Sequence, residues 1–217
     1  MIDKFLNIRY WTAETNGQFF EALNDYFDED KCEIISQVTK ELLTRGDNMN
    51  LTAAEVILIY ATQHYFNVDD TNYKALIYYR LGELYEIYRE DFVKCYTYYE
   101  KYALNNTVNS GEHALLLRAL ILRDNFSYSD NLEKELRMSY GEQDLGLRID
   151  RIYENLGALI VERHYGITEE REKELIKRLK AIIKADELIF PDLILRKDAV
   201  RDMLYVPQKV RDYIYSL

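Results

Sequence analysis

The stretch Tyr73–Asn106, YKALIYYRLGELYEIYREDFVKCYTYYEKYALNN, decides how the chain is read. From Leu76 to Ile87 apolar residues recur at spacings of three and four, which predicts an amphipathic helix. A short polar turn near Arg89–Asp91 then predicts a second helix folded back on the first, closed by Tyr98, Tyr99 and Tyr102. Gly82 stands in the middle of the first helix, where glycine costs roughly 1 kcal/mol relative to alanine. A glycine kept at that cost predicts a close helix contact, with Cys95 expected as the small residue facing it. Tyrosine suits such a hairpin, because its ring buries apolar area while its hydroxyl reaches a polar partner.

Within the stretch, Tyr78, Leu81, Gly82 and Tyr85 form an aromatic-x2-Leu-Gly-x2-Tyr arrangement, and Cys95 and Tyr99 follow with three residues between them. This pattern resembles the tetratricopeptide repeat, with its Trp, Leu, Gly and Tyr in one helix and Ala-x3-Phe in the next. Two features depart from it: the turn is a residue longer, and Asn105–Asn106 stand where a proline is common. The resemblance implies an all-α, right-handed stack of antiparallel helical hairpins whose first helices line a concave groove. In this family such a groove commonly holds an extended or helical peptide of a partner protein. By the same resemblance Tyr79, Arg80, Glu83 and Glu86 face the groove from the central hairpin. His113 and Arg123 do so from the next, and Arg151, Glu154 and Asn155 from the third.

Working outward, a helix carrying Phe19, Phe20, Leu23, Tyr26 and Phe27 is expected to be capped by Thr15 or Asn16 and punctuated by Asp28–Asp30. Cys32, Ile34, Ile35, Val38, Leu42 and Leu43 predict a second helix, with Gly46 as its C-terminal cap. Thr52 precedes a very apolar third, Ala53–Phe66. On the other side come a buried helix opened by Ser110-Gly111 and running to Asp124, its partner Asn131–Tyr140, and a long helix over Gln143–Tyr165. The last of these repeats the aromatic-x2-Leu-Gly signature at Tyr153, Leu156 and Gly157. Gly82, Ala119 and Gly157 are 37 and 38 residues apart, near the period of a helical-hairpin repeat. Thr168–Asp186 reads as a surface helix, followed by Leu193–Tyr205 and a last helix begun by Val206-Pro207. The chain is thus expected to be one all-helical domain over 1–217: irregular N-terminal helices over 1–68, tetratricopeptide-like hairpins over 69–186 and capping helices over 187–217.

Composition bounds the function. The chain has 217 residues, 48% of them hydrophobic, with only 8 glycines and 2 prolines for turns. Its formal charge of −10 argues against a nucleic-acid or anionic-membrane surface, since those are bound by Lys and Arg clusters. The 20 tyrosines are read as packing residues. Cys32 and Cys95 form no CxxC pair and are expected as buried free thiols. No signal peptide or transmembrane run is expected, and a cytoplasmic location follows by elimination.

Motifs for chemistry are missing: there is no HExxH, GxGxxG, GxxxxGK[ST] or GxSxG. His64, His113 and His164 lie on separate predicted helices, so no metal, cofactor or catalytic residue is expected. The acidic segments Asp25–Asp30 and Asn67–Thr71 lack the glycine and terminal glutamate of an EF-hand loop. Glu83, Glu86 and Glu90 share one helical face, read as the wet side of the hairpin, so that changing Arg80 and Glu83 together is expected to spare the fold. The leading expectation is a protein- or peptide-binding adaptor or scaffold rather than an enzyme. The alternative is a regulatory domain holding a small molecule or signalling peptide in an apolar groove. A His–carboxylate site between helices would instead favour catalysis.

Overall fold

A computed structural model describes residues 3–65, 71–106, 112–140, 148–189 and 206–217. Among these residues the chain forms eleven α-helices, one π-helical segment and no strands. They divide into two compact units, Met1–Val108 and Asn109–Leu217. The helix expected over Leu193–Tyr205, the Ser110-Gly111 opening and most of the Asn67–Thr71 segment lie outside the described residues.

The first unit holds α1 (Asp3–Leu6), α2 (Ala13–Leu23), α3 (Asp28–Arg45), α4 (Asn48–His64), α5 (Thr71–Glu83), the π segment Leu84–Tyr88 and α6 (Phe92–Asn105). Thr12 caps α2, accepting a hydrogen bond from the Thr15 N–H at 3.2 Å, so the cap falls three residues earlier than expected. The reason lies one residue before, where Trp11 packs edge-on against Phe19 beside Phe5 and fixes the entry of the chain. Arg45 bonds the carbonyls of Leu6 and Ile8 and so ties α1 to the end of α3. Asp28 and Asp30 begin α3 rather than end α2, which sets their charge at the positive end of a helix dipole. Gly46 ends α3 in the left-handed conformation, φ 69°, as its position predicts. Asp47 caps α4 through the Met49 and Asn50 N–H groups, and Asp91 caps α6 through that of Lys94.

The expected hairpin is α5 and α6, and its closest contact differs in one residue. A Cβ on Gly82 would enter the ring of Tyr99, with Cζ at 2.9 Å, so the glycine receives a tyrosine ring rather than Cys95. After Gly82 the helix widens. The Arg89 N–H bonds the Leu84 carbonyl at 3.1 Å, an i→i+5 turn, and Glu90 takes φ 52° before α6 starts.

The second unit holds α7 (Glu112–Arg123), α8 (Asp130–Ser139), α9 (Arg148–Tyr165), α10 (Glu169–Ile189) and α11 (Gln208–Ser216). Helix α7 packs on α8 and α9, α9 on α10, and α10 on α11. A run of buried residues from Leu115 to Leu122 makes α7 the centre of the unit. A Cβ on Gly157 would lie 3.2 Å from Leu136 of α8 and 3.3 Å from Leu117 of α7. This glycine therefore admits the preceding hairpin, not its own partner α10. Cys32 and Cys95 are buried and take part in no disulfide, and no described helix is long and apolar enough to cross a membrane.

The two kinds of helical glycine separate in a stability measurement. Gly82→Leu is expected to overpack the hairpin and lower unfolding free energy by about 1–3 kcal/mol. Gly17, with nothing within 4 Å of its would-be Cβ, is the control; Gly17→Ala is expected to stabilise by roughly 0.5–1 kcal/mol. Urea denaturation followed by circular dichroism reads both, and an unchanged Gly82→Leu midpoint would contradict the Tyr99 contact.

Candidate functional site

The residues expected to line a groove divide between the two units, and in the first unit they meet around the π segment. All seven residues from Leu81 to Ile87 are buried, because α3, α4 and α6 pack on this part of the chain from different sides. Glu83 and Glu86, 4% and 1% exposed, are therefore interior residues, which corrects their reading as the wet side of the hairpin. A buried carboxylate requires hydrogen-bonded or charged partners, and each has one. Glu86 Oε2 accepts the Tyr99 hydroxyl from α6 at 2.8 Å. Glu83 pairs with Arg80 one turn earlier, and the Arg80 Nε donates to Ser36 Oγ of α3 at 3.3 Å.

Tyr79 and Arg80 are the half-buried members of the expected set in this unit. The Arg80 guanidinium lies 5.3 Å from the Tyr79 ring, and that ring packs 5.4 Å from Tyr102 and 6.2 Å from Tyr99. The same hairpin carries a second polar seam on α4. The Tyr85 hydroxyl donates to Glu55 Oε1 at 2.6 Å, and Arg89 donates to Glu55 Oε2 through Nε at 3.1 Å and Nη2 at 3.0 Å. Burial first, and then the bond to Glu55, holds the Tyr85 phenol well above its ordinary range. Tyr98 stacks on Tyr85 and Tyr78, with Lys94 and Lys101 over the rings. The tyrosines thus serve packing and hydroxyl donation together, and the seam through Glu55 has no local sequence signal because its partners are at least 30 residues apart.

In the second unit the expected residues are dispersed. His113 of α7 lies with Nδ1 2.7 Å from Glu135 Oε2 of α8, a His–carboxylate pair between two helices that sequence spacing does not reveal. Arg123, half-buried, closes on its neighbour Asp124, whose other oxygen accepts from Ser129. Arg151 is exposed on α9, with Glu154 and Asn155 half-buried beside it, and Asn155 bonds the Arg151 carbonyl at 2.6 Å. Ser139 donates to the Leu136 carbonyl, an ordinary helix-end bond.

A cluster that the sequence reading did not single out lies at the α8 and α9 ends of this unit. The Tyr128 and His164 rings stack 3.6 Å apart, and the Tyr128 and Tyr165 hydroxyls both donate to Glu133 Oε2, at 2.9 and 2.8 Å. Tyr165 first, then Arg137 and Tyr128, hold the Glu133 carboxyl below its ordinary range. Among the described residues no three His, Cys, Asp or Glu side chains come together as a metal site.

Two outcomes follow from this geometry. Arg80→Ala leaves Glu83 buried without its cation and is expected to cost about 3 kcal/mol. Changing Arg80 and Glu83 together is no longer expected to be silent, and a double-mutant cycle in urea with Glu83→Gln should return a coupling of at least about 1 kcal/mol. Glu133 gives a pH signature. A carboxyl lowered by folding contributes stability that is complete above its unfolded value, near pH 4, and lost as pH falls through its folded value. Glu133→Gln is expected to melt lower than the parent at neutral pH and to converge with it as pH falls below the carboxyl's folded value, as read by thermal circular dichroism. Compared with known proteins, the chain matches no family model, no curated protein and no solved structure.

Proposed function

We propose that the chain is a protein- or peptide-binding helical module, an adaptor or scaffold whose hairpins stack in the right-handed manner of tetratricopeptide repeats. The observation that carries this reading is the Tyr79–Arg80 pair. Its two side chains are half-buried and are held by three helices: Tyr102 and Tyr99 on α6 support the ring, while Ser36 on α3 and Glu83 on α5 hold the guanidinium. Tyrosine and arginine dominate the energetics of protein interfaces, and a pair already fixed in one arrangement loses little freedom on binding. Since Glu83 already neutralises Arg80, the ligand engages this pair by stacking and by offering hydrogen-bond acceptors, not by strong charge attraction. His113, Arg123, Arg151, Glu154 and Asn155 are the corresponding candidates on the second unit. Glu83 and Glu86 support the surface from beneath and are not part of it.

A second reading, proton-transfer catalysis, has the His113–Glu135 pair in its favour. It is the weaker reading, since a His–carboxylate pair that joins two packed helices also has a purely structural use.

Selection of a random phage-displayed peptide library on the whole chain tests the leading reading. Enriched peptides are expected to bind Tyr79→Ala at least about tenfold more weakly, with helicity unchanged by circular dichroism. A library without enriched binders, or binders indifferent to Tyr79→Ala, would sink it.

A further inference from the structure

Helix α10 carries a stripe of lysines, three of which make no ion pair among the described residues. Lys173, Lys177, Lys180 and Lys184 follow one another at spacings of four, three and four, which puts them along one side of the helix. Leu175, Leu179 and Ile183 are buried on the other. Between Glu174 and Asp186 the sequence contains four cations and no anion. The other cations here are occupied: Lys173 by Glu169, Arg178 by Glu174, and Arg171 by Glu162 and Glu174. Lys177 and Lys184 are exposed, Lys180 is half-buried, and none of the three makes an ion pair among the described residues.

The complementary surface is in the same sequence. Residues 1–108 contain 18 acidic and 10 basic side chains, whereas residues 109–217 contain 20 and 18. On α2 and just past its end, Glu14, Gln18, Glu21 and Asp25 repeat the same four, three, four spacing, and all four are exposed. Gln18 hydrogen-bonds Glu14, while Glu21 and Asp25 make no ion pair among the described residues. A four, three, four pattern reads the same in both directions, so a helix bearing it can pair with its counterpart either way round.

We infer that the lysine stripe of α10 docks on the acidic α2 face of a second copy of this chain. The pairing is local. Two chains of charge −10 repel at a distance, but salt screens that repulsion beyond a Debye length of about 8 Å, whereas the paired stripes lie within it. Since the two surfaces differ, the contact closes as a reciprocal dimer or propagates as a chain of copies. It engages neither Tyr79 nor Arg80, so it stands or falls independently of the proposed peptide site.

Sedimentation velocity on the whole chain tests it with a charge swap. Wild type is expected to self-associate at about 50 mM salt and to become monomeric by about 500 mM. One variant carries Lys177→Glu, Lys180→Glu and Lys184→Glu; the other carries Glu14→Lys, Glu21→Lys and Asp25→Lys. Each alone is expected to associate at least about tenfold more weakly than wild type, and an equimolar mixture of the two to recover association, because the substituted residues of each variant then face opposite charges on the other. All these positions except the half-buried Lys180 are exposed, and circular dichroism checks that both variants fold. A wild type that is monomeric at every concentration, a variant that associates as wild type does, or a mixture that fails to recover would each overturn the inference.

Discussion

The first unit depends on one contact, the ring of Tyr99 seated on the bare backbone of Gly82 with its hydroxyl on Glu86. The two halves of this contact act in different directions. The ring over the glycine sets how near α6 lies to α5, since any side chain there would have to occupy the same space. The hydroxyl sets where α6 lies along α5, since it must reach a carboxylate four residues further on. Distance and register of the hairpin are thereby fixed by a single side chain. Glu86 can be 1% exposed because the phenol satisfies one of its oxygens in the interior, where a solvated carboxylate would otherwise be strongly preferred.

Other polar groups near this contact extend the same logic to the neighbouring helices. Arg80 links α5 to α3 through Ser36, and Glu55 links α4 to Tyr85 and Arg89 in and after the π segment. Ion pairs withdrawn from water, such as Arg80–Glu83, add little net stability, because desolvation offsets most of the attraction. We read their role as one of specification: an apolar α5 could slide against α3 by a turn, whereas Arg80 has only one Ser36 to meet. The i→i+5 turn belongs to this arrangement. It presents Tyr85 to α4 and Glu86 to α6 from adjacent positions, on a stretch where no residue faces solvent.

Much of this was legible in the sequence, and the limits have physical causes. Helix type and approximate extent follow from apolar periodicity, and Gly46 and the Gly82 contact follow from the special backbone and steric properties of glycine. What periodicity cannot supply is the number of neighbours. A helical wheel for Leu76–Ile87 assumes a solvent side, so the acidic residues Glu83 and Glu86 were assigned to it. Packing of three helices around the segment removes that side, and the wider turn shifts the phase of every residue after Leu84. The cap at Thr12 instead of Thr15 was ambiguous for a different reason. Either threonine offers an acceptor oxygen, and the choice was made by Trp11 packing on Phe19, a contact between side chains eight residues apart. His113 and Glu135 were still less visible, being brought together only by the α7–α8 turn.

The aromatic-x2-Leu-Gly signature occurs at both Gly82 and Gly157, yet the two glycines admit different neighbours. Gly82 takes the tyrosine of the helix that follows it. Gly157 takes Leu136 and Leu117 from the two helices that precede it. The motif therefore encodes a thin place on a helix, and the surrounding side chains decide which helix uses it. Tyr99 is large and anchored by Glu86, so it claims the space above Gly82; α10 brings Leu175, Leu179 and Ile183 into its unit's core, but the atoms nearest Gly157 are the leucines of α7 and α8. A groove lined by equivalent positions requires equivalent packing beneath it, and these hairpins do not share that packing. The proposed binding surface is accordingly to be sought hairpin by hairpin, beginning where side chains are both held and half-open, as Tyr79 and Arg80 are.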